Sequence, residues 1–234
     1  MPTNEQNIAA VGVLAEPVRR QLYEFVCSQR EPVSREMAAQ AVGIAQHQAK
    51  FHLDRLEAEG LLVADYVRLT GRTGPGAGRP AKRYRPGGTQ FSVSLPERRY
   101  DLAGHIMADA ITTAAETGIA ITDAVRQIAA AYGAGLADGV SDRPSTADEA
   151  LDLAVALLSG HAYEPRRTGS TVVLVNCPFH ALARRHTELV CTMNHALIAG
   201  LVEVVAPDLL NACLEPGENR CCVTLTADLA EPTL

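Results

Sequence analysis

The clearest hydrophobic pattern in the chain lies between Gln46 and Glu59, where apolar residues recur at the spacing of an α-helix. Ala49, Leu53 and Leu56 fall on one side at about 100° per residue, so we expect this stripe to face a core. The opposite side carries polar and aromatic residues. A helix of this kind can enter a DNA major groove, where glutamine pairs with adenine and an apolar ring contacts a thymine methyl.

The residues before this helix predict a second helix and a tight turn. Ser34 can cap a helix over residues 35–41, and residues 42–44 provide the turn between the two helices. A further helix is expected over residues 16–26, with Pro17 in its first turn. Together these elements predict a helix-turn-helix.

The residues after the helix predict a two-stranded wing. Segments 63–67 and 82–85 are typical of short strands, and the loop between them is rich in glycine and arginine. From Arg68 to Arg85 there are six basic residues and no acidic one, which suits contact with DNA phosphates or a narrow minor groove. Alone, such a loop could equally be a solvated linker. The candidate DNA-binding residues are Gln46, His47, Gln48, Lys50, Phe51, His52, Arg55, Arg72, Arg79, Lys82 and Arg83.

Charge is distributed unevenly along the chain. The net charge is −6, which for the chain as a whole argues against nucleic acid. Residues 1–99, however, contain 14 basic and 10 acidic residues, against 7 and 17 in residues 100–234. This asymmetry predicts a DNA-binding head joined to an acidic body.

The N-terminal residues lack the basic and apolar regions of a signal peptide, and no apolar run is expected to be long enough to cross a bilayer. We therefore expect a cytoplasmic protein without a membrane partner. In a reducing compartment the six cysteines are not expected to form structural disulfides. Their positions need another explanation.

Residues 100–138 are rich in alanine at helical spacing and are interrupted at Gly118 and at residues 133–135. Two helices are the simplest interpretation. Their small side chains would allow close approach in a homodimer, because helix-turn-helix proteins usually bind two half-sites by two-fold symmetry. The alternative is that they pack against the head of their own chain.

The C-terminal residues predict a small antiparallel sheet with a helix. Thr146 and Glu149 form a capping-box pattern for a helix that ends near residue 159. Segments 161–166 and 170–175 predict a hairpin, and 221–226 a final strand. The predicted fold class is α+β, with a winged helix-turn-helix over residues 1–88, a linker and dimerisation helices over 89–140, and a C-terminal sensor domain over 141–234.

Five of the six cysteines lie in the last 58 residues. Cys177 and Cys191 are expected near helix N-termini, which favour thiolates. One continuous helix would separate them by about 21 Å at ~1.5 Å per residue, so we expect a break, with Thr187 capping the second helix. Cys221 and Cys222 are adjacent on the predicted strand. Their side chains should point to opposite faces, so that only one joins Cys177 and Cys191.

Two histidines lie one helical turn after Cys177 and Cys191 and are weaker candidate ligands. These cysteines could hold a metal ion or cluster, act as a metal-free thiol redox switch, or be ordinary buried residues. Zinc and an iron–sulfur cluster both suit such ligands, and ligand type alone does not decide between them. The additional candidates are His180, His186, His195 and Cys213.

Residues 43–62, together with 78–84 of the wing, resemble bacterial winged-helix regulators of the ArsR and SufR-like type. Segments 176–180, 189–191 and 221–223 are similar to the C-terminal sensor region of SufR-like regulators. The resemblance implies a repressor of iron–sulfur assembly genes. It also implies a [4Fe-4S] cluster, with a fourth ligand left open by the doubled cysteine and by Cys213; the implied ligands are Cys177, Cys191 and one of Cys221 and Cys222.

The leading hypothesis is a homodimeric transcriptional regulator that binds a double-stranded DNA operator and whose C-terminal cysteines modulate that binding. A zinc-stabilised or thiol-switch repressor is the alternative within the same class. An enzyme would need Cys177 or Cys191 as nucleophile and His180 or His195 as base. No oxyanion, phosphate or cofactor motif accompanies them in the sequence, so we expect no enzymatic activity.

Overall fold

The computed structural model describes residues 3–67, 81–140, 143–217 and 220–227. Over these residues the chain is mixed α+β, with 55% helix and 15% strand and two antiparallel sheets. The predicted class is confirmed at this level. The chain divides into two compact units, Met1–Val93 and Ser94–Leu234. The three-part division at residues 88 and 140 stays a prediction.

The first unit has four α-helices and one three-stranded sheet within its described residues. The helices are α1 (Asn4–Gly12), α2 (Pro17–Ser28), α3 (Arg35–Val42) and α4 (Gln46–Ala58). The strands β1 (Val33–Ser34), β2 (Leu62–Val67) and β3 (Ala81–Pro86) form an antiparallel sheet in the order β1-β3-β2. The sequence pattern predicted neither α1 nor the two-residue strand β1.

Local signals set the helix ends of this unit as predicted. α2 begins at Pro17, and the Glu16 carboxylate accepts hydrogen bonds from the first free backbone N–H groups. Ser34 caps α3 in the same way. The turn between α3 and α4 lies at Gly43, whose φ of 75° is in the region that favours glycine.

The apolar stripe of α4 faces the core of the first unit, as predicted. Ala49, Leu53 and Leu56 are fully buried. Each buried leucine contributes roughly 1.5–3 kcal/mol, so this stripe fixes which side of α4 remains in solvent. The surrounding core includes Leu22, Val26, Val33, Leu62 and Tyr84.

The second unit has five α-helices and a four-stranded sheet within its described residues. The helices are α5 (Tyr100–Thr117), α6 (Ile121–Gly135), α7 (Ala147–Ser159), α8 (His180–Ala183) and α9 (Thr187–Val205). The strands are β4 (Pro165–Thr168), β5 (Thr171–Leu174), β6 (Leu210–Leu214) and β7 (Val223–Ala227). They are antiparallel in the order β4-β5-β7-β6.

The two alanine-rich helices α5 and α6 are those predicted for residues 100–138. α5 ends at Gly118, which has a φ of 77°. Both helices share a core with α9 of the same unit through residues such as Ile106, Ala129 and Leu197. Their role in dimerisation stays a prediction.

Backbone contact joins α6 to α9. A Cβ atom added at Gly133 would lie 1.8 Å from the carbonyl oxygen of Leu197, and one at Gly200 would lie 2.1 Å from that of Ala130. Only glycine fits at these positions. The prediction that residues 133–135 interrupt the helix is wrong, because all three lie inside α6, whose last residue is Gly135.

Helix α9 corrects one expectation from the sequence. Its 19 residues have a mean hydropathy of 1.4, so by length and composition it could cross a membrane, whereas no such run was expected. Of that apolar window, 56% is buried inside the unit. Packing against α6 and the sheet accounts for the apolar composition as that of a core helix.

The structure confirms the predicted hairpin and revises the elements around the cysteines. β4 and β5 pair across a turn at Gly169. The last strand begins at Val223 rather than Cys221, and β6 was not predicted. Thr187 does not cap α9, because it is the first helical residue and its hydroxyl donates to the Ala183 carbonyl.

Candidate nucleic-acid interface and thiol site

The outward side of α4 presents a continuous polar and aromatic surface. His47, Lys50, Phe51 and Arg55 are exposed, and they line one shallow depression. Gln46 is exposed at the start of the same helix. The Phe51 side chain is 65% exposed and lies among these polar residues.

Two of the predicted contact residues of α4 have roles inside the unit. The side-chain oxygen of Gln48 accepts the backbone N–H of Ala45 at 3.2 Å and so caps the helix. His52 is half-buried, and its Nδ1 lies 3.5 Å from Glu16 Oε2. That contact has no hydrogen-bond geometry, so it becomes an ion pair only when the imidazole is protonated. The structure thus places His52 towards α2 rather than on the outward side.

Lys82 braces β3 against α4. Its Nζ lies 2.8 Å from Asp54 Oδ1 and also contacts Glu57. The hydroxyl of Tyr84 donates to Asp54 Oδ1 at 2.8 Å, and Lys50 donates to Oδ2 at 2.7 Å. Burial by itself would raise the pKa of Asp54, but these hydrogen bonds outweigh it and lower the pKa to about 2. The carboxylate is therefore ionised and neutralised by two lysines at neutral pH.

The remaining predicted contacts lie on or beyond the hairpin. Arg83 pairs across the two strands with Asp65, at 3.3 Å from Nε to Oδ1. The pair is partly exposed, with 27% of the Arg83 and 39% of the Asp65 side chain in solvent. Arg72 and Arg79 lie outside the described residues.

The second unit brings four of its cysteines into contact. Cys177 lies between β5 and α8, Cys191 lies on α9, and Cys221 and Cys222 directly precede β7. These thiols shift one another's pKa values: Cys177 and Cys222 act on Cys221, and Cys191 acts on Cys222. All are free thiols.

The expectation that only one of the adjacent cysteines would join the other two is therefore wrong. Side chains alternate between faces only along an extended strand. Cys221 and Cys222 lie before the first residue of β7, so alternation does not apply to them. The Cys221 N–H instead donates to the Leu174 carbonyl at 2.8 Å, and both side chains are buried.

Cys221 is the thiol best placed to ionise. The hydrogen bonds from Cys177 and Cys222 lower the pKa of Cys221, and those from the Val223 N–H and the Asn194 amide lower it further, against the opposing effect of burial. The same contacts, together with burial, raise the pKa of Cys177 and of Cys222. The site therefore favours one thiolate among protonated neighbours.

The weaker candidate ligands do not join the thiols. His180 and His186 are exposed. His195 Nε2 lies 2.9 Å from the Ala212 carbonyl oxygen, a hydrogen bond that orients the ring towards β6. Cys213 lies 3.6 Å from the Thr226 hydroxyl on the neighbouring strand. The chemistry of the site is consequently all sulfur.

Four cysteine thiols are the donor type that zinc and iron–sulfur clusters both use. No group of three or more His, Cys, Asp or Glu side chains in the described ranges is arranged to hold one metal ion. The thiols instead contact one another in a row, Cys177, Cys221, Cys222 and Cys191.

A buried polar pair supports the thiols, and the sequence pattern did not reveal it. Asn194 Nδ2 lies 3.1 Å from Cys221 Sγ, and the Tyr163 hydroxyl donates to Asn194 Oδ1 at 2.5 Å. Burial is the main cause that raises the pKa of Tyr163, so this hydroxyl stays protonated. The available signal was a single asparagine in the middle of the largely apolar helix α9.

Comparison of the chain with protein-family models, curated proteins and solved structures found no match. The proposals on function therefore rest on the outward side of α4 and on the four thiols of the second unit.

Proposed function

We propose that the chain is a DNA-binding transcriptional regulator, and that its first unit is a winged helix-turn-helix. The observation that carries the proposal is α4, which buries Ala49, Leu53 and Leu56 and leaves His47, Lys50 and Phe51 in solvent. The order of elements is that of a winged helix-turn-helix, with α3 and the turn at Gly43 before α4 and the β2–β3 hairpin after it.

The charges around α4 support this assignment. Asp54 and Glu57 would repel phosphate, but Lys82 contacts both and Lys50 contacts Asp54. Arg55 is paired with Glu59 at 2.6 Å, and its side chain is still 54% exposed. Lys50, Lys82 and Arg55 thus balance Asp54, Glu57 and Glu59, so the outward side presents an aromatic ring to a groove without net repulsion of phosphate.

Selection from a random-sequence duplex pool by the intact protein tests DNA binding. Binding to the enriched duplex and to a scrambled duplex is then titrated at several salt concentrations. Gln46→Ala or Lys50→Ala should alter sequence preference and cost about 1–3 kcal/mol on the selected duplex alone. Arg83→Ala or Arg79→Ala should weaken binding to both duplexes and reduce the salt slope by about 1.

Arg126→Ala is the matched control, because Arg126 is an exposed arginine on α6 that pairs only with its neighbour Asp123 among the described residues. It should leave both affinities unchanged. The proposal fails if no sequence is enriched. The assigned roles fail if every variant affects both duplexes equally.

For the second unit we propose that Cys177, Cys191, Cys221 and Cys222 hold a [4Fe-4S] cluster. When bound, such a cluster would supply redox and oxidant sensitivity through its change of charge or its loss. A metal-free thiol switch is the second candidate, because the contacts of Cys177 and Cys222 with Cys221 also suit disulfide exchange. Zinc is the third.

Anaerobic purification distinguishes the three. A cluster gives absorbance near 400 nm with about four irons per chain, zinc is colourless and appears in metal analysis, and a thiol switch contains neither metal. Operator affinity is then compared for the purified, metal-free and oxidised protein. A coupling of about 1–3 kcal/mol would change the affinity about 5- to 150-fold. Identical affinities would refute sensing.

We further propose that the regulator is a homodimer, since two-fold symmetry suits two half-sites. Light scattering of the intact protein, together with the spacing of half-sites in the selected duplexes, tests this. A monomer bound to a single half-site would refute it.

A further inference from the structure

Asn194 is an exceptional residue within α9. It is completely buried, and its helical neighbours Met193, Leu197 and Ile198 are apolar and equally buried. Among the described residues, Asn194 and Thr224 are the buried polar ones. An amide in such a position is unfavourable unless both of its ends are hydrogen-bonded, so its partners explain its presence.

The partners define one orientation of the amide. The carbonyl oxygen Oδ1 can only accept, and it receives the Tyr163 hydroxyl at 2.5 Å. The amino group can only donate, and it faces Cys221 Sγ at 3.1 Å. A deprotonated Cys221, as a ligating sulfur must be, can only accept, so it requires the amino end of the amide. With Cys221 as a ligand, the chain Tyr163–Asn194–Cys221 is therefore consistent in this direction.

We propose that Asn194 is a positioning residue that tunes the group held by the four cysteines, by directing an N–H group at the Cys221 sulfur while Tyr163 holds the amide in place. This inference rests on the proposed cluster. A hydrogen bond to a ligating sulfur stabilises the state with more negative charge. It therefore raises the reduction potential of the cluster and slows its loss.

The test compares anaerobically purified, full-length Asn194→Leu and Tyr163→Phe with the unmodified protein. Leucine retains the branched shape of asparagine without its donor, and phenylalanine removes only the hydroxyl. Iron content, the midpoint potential from a titration followed by electron paramagnetic resonance, and the rate of iron loss to a chelator are measured. Asn194→Leu should have a more negative potential and lose iron about 10- to 100-fold faster, the usual effect of removing a partner of a ligand.

Tyr163→Phe should shift the potential in the same direction by a smaller amount, because the amide keeps its donor but loses its fixed orientation. It also decides the question if Asn194→Leu does not fold. Thr224→Val is the matched control. Thr224 is equally buried, and its hydroxyl bonds to Glu215 rather than to a cysteine, so the potential should not change.

The inference is overturned if a loaded Asn194→Leu protein, or in its absence Tyr163→Phe, keeps the original potential. It is also overturned if Thr224→Val shifts the potential equally, because the effect would then be general to buried polar groups. An unmodified protein that contains no iron instead refutes the proposed cluster, and the inference with it. Iron content of the unmodified protein therefore separates the two failures.

Discussion

The substitution Asp54→Asn tests whether the ionised contacts of Asp54 stabilise the first unit. The pKa of Asp54 falls from 3.8 to about 2 on folding. At about 1.36 kcal/mol per pKa unit, this corresponds to roughly 2.4 kcal/mol at neutral pH. The side chain is 33% exposed, so solvent screening reduces the expected loss to about 1–2 kcal/mol.

The pH dependence follows from the direction of the shift. A carboxyl group whose pKa is lowered in the folded state contributes stability above its unfolded pKa, and that contribution is lost as the pH falls. The difference between the unmodified protein and Asp54→Asn should therefore be complete above about pH 4 and should vanish as the pH approaches about 2.

Urea unfolding followed by circular dichroism measures the difference, and hydrogen exchange of the α4 and β3 peptides assigns it to the first unit. Asp65→Asn is the control, because Asp65 on the same hairpin pairs only with Arg83 among the described residues, at the longer distance of 3.3 Å, and should contribute about 0–1 kcal/mol. Equal stability of Asp54→Asn and the unmodified protein at pH 7 would refute the reasoning. A difference that persists near pH 2 would do so as well.

Other substitutions test the packing and the thiols. In the same urea assay, Gly200→Ala should destabilise the second unit by about 1–3 kcal/mol, because its Cβ would meet the backbone of α6. Gly104→Ala is the control and should stabilise the unit by about 0.5–1 kcal/mol, because there is open space around this position of α5. Gly43→Ala should cost about 1–2 kcal/mol, since its φ is 75°, and unchanged stability would contradict the turn geometry. Cys221→Ser should abolish iron binding in anaerobic preparations, whereas Cys213→Ser should retain it; the reverse result would reject the ligand assignment.

Many local features could be predicted from the sequence. The period of Ala49, Leu53 and Leu56 identified the buried side of α4, and Ser34 identified the start of α3. These predictions succeeded because a helical period and a cap act between residues a few positions apart. α1 and β1 were not predicted, because α1 is weakly amphipathic and β1 has only two residues.

The candidate contact surface could be predicted only in part. Exposure of Lys50, Phe51 and Arg55 followed from helical phase. The inward position of His52 depends on Glu16 of a different helix, and the brace from Lys82 to Asp54 depends on how β3 lies against α4. The two residues of each contact are far apart in the sequence, so the helical spacing of apolar residues could not reveal either contact.

By itself, then, the sequence determined the α+β class, most helices and the composition of a sulfur-rich region. The tertiary structure alone decided that Cys221 lies next to Cys177 and Cys222 next to Cys191, and that Asn194 faces Cys221. The physical reason is that local preferences act along the chain, whereas these contacts arise between segments up to 45 residues apart. Only the packing of α9 against the sheet brings them together.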